Sequence, residues 1–178
     1  MNQGKQGRAG RTRSALVDAF STLVLERRQR RIGVRDVVAE AGVGRSTFYE
    51  HFSGAEAVHM AALAQPFALL ADAAVGRGDQ AATAGLLAHF WENRQRARDT
   101  LTGRAGEQAL RLLSDLVEKR LEEPLPLPSR LAAQQLAAAA LAPVRAWLLG
   151  EAASTPEALA GTLCRSGAAL AAALRGPG

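Results

Sequence analysis

This chain of 178 residues reads as an all-α protein: an N-terminal three-helix bundle with a helix-turn-helix, then a larger helical domain, about nine helices in total. Three observations carry that reading. Alanine and leucine dominate while aromatics make up only 4%, so intrinsic propensity leans to helix nearly throughout. Apolar residues recur at spacings of three and four, the period of an amphipathic helix. Glycine and proline fall mainly where those stripes stop.

Met1 to Gly10 is polar and glycine-rich, with nothing to bury, and is expected to be a flexible basic arm (residues 1–10). Leu16, Ala19, Phe20, Leu23 and Val24 then form one stripe, with Thr12 or Ser14 as N-cap. The stripe ends in a basic connector, Arg27-Arg28-Gln29-Arg30-Arg31. Val34, Val37, Val38 and Ala41 repeat it over two turns, Gly42 stops it as a C′ residue, and a third short helix begins near Arg45. Residues 11–55 make the first domain and 56–178 the second.

The run from Glu56 to Ala74 reads as one helix that Pro66 should kink, ended by Gly76-Arg77-Gly78. Ala81 to Arg98 is next, with Leu87, Phe90 and Trp91 on one side, before Gly103 and Gly106 break the pattern. Leu110, Leu113, Leu116, Val117 and Leu121 form a regular amphipathic helix, and Pro124-Leu125-Pro126-Leu127-Pro128 a loop. Ser129 to Gly150 is apolar around most of its circumference. The last helix opens with a capping box, Ser154 at N-cap and Glu157 at N3, and runs through Leu159, Leu163, Gly167, Leu170 and Leu174.

Charge divides the chain in the same way. Residues 1–51 hold ten Lys/Arg against five Asp/Glu, and the remainder holds twelve of each, so the whole excess of +5 belongs to the first 51 residues. That points to a polyanionic partner for the N-terminal part. The single cysteine, Cys164, rules out an intrachain disulfide and a four-cysteine metal site. His51, His59 and His89 lack metal-ligand spacing, and no nucleophile–histidine ordering, phosphate-cradling glycine loop or carboxylate pair stands out. Neither an enzyme, nor a metal, nor a cofactor is expected. The N-terminus has no apolar segment of the secretion type, and Gln134, Gln135, Pro143 and Arg145 interrupt the most apolar run. The expected location is the cytoplasm, without a membrane contact.

Helix, glycine turn, helix is the arrangement that lays a second helix in the DNA major groove. Gly42 permits the sharp turn, Val43 plugs the space between the helices, and Phe48 and Phe52, four apart, anchor the second helix. At 100° per residue this leaves Ser46, Thr47, Tyr49 and Glu50 facing outward, with Arg45 at the tip. Arg45 suits the guanine edge and Glu50 a cytosine amine. Ser46 and Thr47 suit bases or phosphate, and Tyr49, His51 and the neighbouring Arg35 suit phosphate. The positive helix N-termini add to this attraction.

The residues from Ile32 to Phe52, with Ala41-Gly42-Val43 at the turn and Thr47-Phe48-Tyr49-Glu50-His51-Phe52 after it, resemble the helix-turn-helix of the tetracycline-repressor family. The resemblance implies a ligand-responsive regulator, a repressor, binding a palindromic double-stranded DNA operator as a homodimer. It also implies a helix linking the DNA-binding domain to a helical ligand-binding and dimerisation domain, with a small-molecule effector. Ser129 to Gly150 and Ser154 to Leu174 would form the dimer interface, with Ala137 to Ala140, Gly161 and Gly167 allowing close approach. Half-sites would lie roughly 34 to 36 Å apart.

Two positions depart from the family pattern: Gly33 stands where Thr is usual and Ala55 where Lys is usual, each a phosphate contact. Arg30, Arg31, Arg35 or the segment from Arg8 to Arg13 is expected to compensate. Candidates for the effector site are His89, Trp91, Arg94, Gln108, Arg111, Arg145 and Trp147 on the middle helices, with packing as the competing role for each. The rival reading is a helical-bundle interaction protein whose basic N-terminus binds a protein or anionic lipid.

Overall fold

The computed structural model describes residues 3–26, 32–121 and 125–175. The basic connector at 27–31 lies outside them. Among the described residues there are ten helices and no strand, as the all-α expectation requires. The chain divides into two compact units, Met1–Ala64 and Gln65–Gly178.

The first unit contains α1 (Gln3–Glu26), α2 (Val34–Glu40), α3 (Arg45–His51) and α4 (Ala55–Ala62). Helical backbone begins at Gln3, so neither Thr12 nor Ser14 is a cap and the segment read as an arm is part of α1. Lys, Gln and Arg between its glycines are good helix formers, and no proline interrupts them. Leu16, Phe20 and Leu23 of α1 close with Val37, Phe48, Phe52 and Val58 into one buried cluster, and Val34, Val38, Ala41 and Val43 pack on its edge. Val58 is fully buried, and His59 stacks on Phe20 with ring centroids 5.4 Å apart. Through Val58, α4 packs with the first unit, which ends at Ala64.

Gly42 ends α2 in the left-handed conformation, φ 65°. Val43 N–H donates to the Val38 carbonyl at 3.1 Å and Gly42 N–H to the Ala39 carbonyl at 3.4 Å, the paired bonds of a Schellman turn. A side chain at Gly42 would cost about 1 to 2 kcal/mol in that conformation.

The second unit contains α5 (Ala64–Ala74), α6 (Gln80–Glu92), α7 (Arg94–Leu101), α8 (Gly103–Glu118), α9 (Ser129–Leu149) and α10 (Pro156–Arg175). Its core draws on Phe67, Leu70, Leu87, Leu113, Leu136, Val144 and Leu163, with α8 packed on α9 and α10 on α6 and α9. Arg130 of α9 ties to α8 through Asp115 and Glu118.

Four further sequence expectations change. Glu56 to Ala74 is two helices, because Pro66 leaves the Ala62 carbonyl without its donor and its ring crowds that carbonyl; α4 stops at Ala62, and Pro66 sits in the first turn of α5. Ala81 to Arg98 is also broken, at Asn93, whose side-chain amide donates to the His89 carbonyl at 3.0 Å and ends α6. Gly106 does not interrupt α8 but packs inside it against the Leu101 carbonyl. The cap of α10 is Thr155, whose hydroxyl accepts from Ala158 N–H at 3.2 Å, because Pro156 occupies the first helical position.

The small residues of the last two helices face two ways. Ala137, Ala140, Gly161 and Gly167 are buried inside the chain, whereas Ala138, Ala139, Ala169, Ala172 and Ala173 are exposed. Close approach at Gly167 is therefore intramolecular: a Cβ there would lie 2.1 Å from the Ala73 carbonyl oxygen.

The same substitution should accordingly act with opposite signs at two helical glycines. Gly167→Ala is expected to destabilise by about 1 to 3 kcal/mol through overpacking. Gly85→Ala, in the open interior of α6, should stabilise by about 0.4 to 1 kcal/mol. Urea unfolding of the two variants checks both, and equal shifts would contradict the packing described.

Candidate nucleic-acid interface and effector region

Seven residues make α3, too few for a stable helix in isolation, so its orientation is set by what it buries. Phe48 is fully buried and Phe52, its C-cap residue, is 6% exposed; their rings lie 6.0 Å apart. With those two positions turned inward, Arg45, Ser46, Tyr49 and Glu50 are exposed, and Thr47 and His51 half-buried. Tyr49, 59% exposed, meets Phe48 edge to face at 5.3 Å, so a large ring is held outward by a buried one. Arg45, Ser46, Tyr49 and Glu50 are thus presented outward, whereas Thr47, which the 100° layout also turns outward, is half-buried.

Arg35 is exposed on α2, the helix joined to α3 by the glycine turn. Gly33 is the N-cap of that helix, and its N–H donates to the Asp36 carboxylate at 3.0 Å. Helices α3 and α4 likewise begin after glycines, Gly44 and Gly54, without a side-chain cap. Ala55 is the first residue of α4 and contributes no polar group. Arg13, the end of the basic segment that the sequence offers as a replacement phosphate contact, has its guanidinium 4.9 Å from the Phe52 ring centre. Its stacking on that ring is the part that no spacing in the sequence marks.

The effector candidates separate. Trp91 of α6 stacks on Trp147 of α9, with centroids 4.7 Å apart and planes 22° from parallel. Arg94 lies over the Trp91 ring at 4.4 Å and donates from Nε to the Leu148 carbonyl at 2.6 Å. Trp147 is buried and donates from Nε1 to the Ser154 carbonyl at 3.0 Å, while Trp91 is 42% exposed. Gly150 is part of this corner, since a Cβ there would lie 2.9 Å from the Arg94 guanidinium. His89 is exposed on α6, within 3.4 Å of the Asn93 amide. Arg111 and Arg145 are exposed on α8 and α9. Gln108 is half-buried, and its Oε1 is the one buried side-chain acceptor lacking a partner among the described residues.

Two open clefts lie elsewhere in the second unit, and neither is lined by any of these seven residues. Val75, Arg120, Leu125 and Leu174 border one; Leu136, Leu163 and Leu170 border the other. No group of three or more His, Cys, Asp or Glu among the described residues can hold a metal ion, and no single helix among them is long and apolar enough to cross a membrane.

An all-helical chain with a helix-turn-helix in its first unit is the class that fold and surface define. Two solved structures are similar to it. A TetR transcriptional regulator from Streptococcus agalactiae 2603V is 24% identical over 93% of this chain and 98% of that one, with a TM-score of 0.48. The dihydroxyacetone kinase operon activator DhaS is 21% identical over 92% of this chain and 98% of that one, with a TM-score of 0.50. At that identity the likeness to DhaS is one of fold. No family model and no curated protein matches the chain.

Both tryptophans of the protein belong to the one stack, so their optical signals report on it alone. Exciton coupling between the two indoles is expected in the circular dichroism of the wild type and absent from Trp91→Phe, with the helical signal retained. A Trp91→Phe spectrum identical to wild type would contradict the stacking.

Proposed function

We propose that this protein is a DNA-binding transcription regulator, a repressor acting as a homodimer on a palindromic operator and released by a small molecule. The observation that carries the reading is the outward surface of α3, where Arg45, Ser46, Thr47, Tyr49, Glu50 and His51 are presented by a helix whose opposite side is sealed by Phe48 and Phe52. An Arg followed by hydroxyl and carboxylate groups is suited to base edges in the major groove. Arg35 on α2 adds a phosphate contact. The charge excess of the N-terminal part supports a DNA partner, and the fold shared with a solved operon activator supports a transcription regulator.

Dimerisation is assigned to α9 and α10, whose outward alanines Ala138, Ala139, Ala169, Ala172 and Ala173 allow a second copy to approach closely. Effector binding is assigned to the second unit. The Trp91–Arg94–Trp147 corner and the unpartnered Gln108 oxygen support it, the latter as an acceptor for a ligand donor, with His89, Arg111 and Arg145 as further candidates. A cytoplasmic location belongs to this reading.

Gel-shift titration against duplexes covering the DNA upstream of its own gene tests the reading. Sequence-selective binding by a dimer is expected, and Arg45→Ala should weaken it by about 1 to 3 kcal/mol while relaxing preference at one base position. Sequence-blind binding by wild type, or unchanged selectivity in a folded Arg45→Ala protein, would refute it.

A further inference from the structure

Arg13 is an exposed residue of α1, yet its guanidinium rests on the ring of Phe52, at the end of a different helix. Phe52 is the C-cap of α3, so the cation is held just beyond the last turn of the helix that carries Arg45 to His51. For an exposed cation such as Arg13, contact with an aromatic ring is worth about 0.5 to 1 kcal/mol, enough to bias a flexible side chain toward one position. Among the described residues no carboxylate forms an ion pair with Arg13. Among the described residues its charge is thus oriented by a ring and not paired with a carboxylate.

Helix α3 is seven residues, or about 10 Å, long at 1.5 Å per residue, while the major groove is about 12 Å wide. On the DNA-binding reading, a basic group at each end of so short a helix is within reach of a phosphate wall. Arg45 stands at the N-terminal tip, but the only basic residue in the last turn of α3 is His51. Arg13 supplies a permanent charge at that end. A guanidinium suits the place better than an ammonium, because its flat face stacks on the ring while its edge N–H groups still donate to two phosphate oxygens.

We infer that Arg13 is a DNA phosphate contact, positioned by the Phe52 ring at the C-terminal end of α3. The inference rests on the DNA-binding reading and adds to it one residue, its ligand group and the side chain that orients it. A phosphate contact is sequence-independent, so a fluorescein-labelled 30-base-pair duplex of mixed sequence is the probe, on the scale of a single protein footprint. Anisotropy titrations of the full chain in roughly 50 to 200 mM potassium chloride give the slope of log K against log salt. Arg13→Met keeps an apolar stem over Phe52 and removes the charge; Arg13→Gln removes the charge with a polar side chain.

Both variants are expected to lose about 0.9 from the magnitude of the slope and to bind about eightfold more weakly at 0.1 M salt, with Arg13→Lys restoring the slope. A merely structural role for Arg13 would lower the melting temperature and leave the slope alone. If wild type binds the duplex and both neutral variants share its slope and affinity, Arg13 is not a contact and the DNA-binding reading stands. If wild type binds no duplex, that reading fails and this inference with it.

Discussion

The first unit turns on one buried ring. Phe48 is fully enclosed by residues from α1, α2 and α4, and because α3 is too short to be stable alone, that enclosure both makes the helix and sets its rotation. Rotation decides which side chains are presented: with 100° between successive residues, burying position 48 leaves 46, 49 and 50 outside. Phe52 repeats the constraint one turn later and removes the remaining freedom. The outer surface is thus a consequence of the inner one, and a polar face of this composition is useful only because its direction is fixed.

The turn before α3 supplies the second constraint. A positive φ at Gly42 allows two backbone bonds to close the end of α2 while the chain reverses toward α3, and Val43 folds back onto the shared core. Arg35 and Arg45, ten positions apart in sequence, therefore belong to two helices whose joint is a hydrogen-bonded motif rather than a loose loop. On the DNA-binding reading proposed above, that joint would hold the two side chains in register, since base-edge hydrogen bonds tolerate little misplacement.

The second unit is organised by close approach rather than by large side chains. Gly167 lets α10 lie against the Ala73 carbonyl. The exception is the corner where Trp91, Arg94 and Trp147 stack and the Leu148 and Ser154 carbonyls accept hydrogen bonds from two of them. There the ends of α6 and α9 are joined by aromatic and charge-assisted contacts, and Gly150 leaves the space that Arg94 fills. The seven residues suggested by position on the middle helices are divided by this arrangement into a packed group and several separate surface positions.

Local rules were sufficient for the helical class, the apolar stripe of α1, the glycine turn at Gly42 and the inward and outward faces of α3. Each depends on a period or a backbone conformation that neighbouring residues impose. The breaks at Leu63 and Asn93 were less legible, because a proline or an asparagine within an apolar stripe is compatible with either a bend or a stop, and the choice rests on where its unpaired carbonyl or side-chain amide finds a partner. Contacts between distant residues were not legible at all. Arg13 on Phe52, Trp91 on Trp147 and Gly167 beside Ala73 join positions 39, 56 and 94 residues apart, and no spacing rule reaches that far. Sequence determined which surfaces the helices possess; tertiary packing decided which side chains share them, because burial, unlike periodicity, is a property of the whole unit.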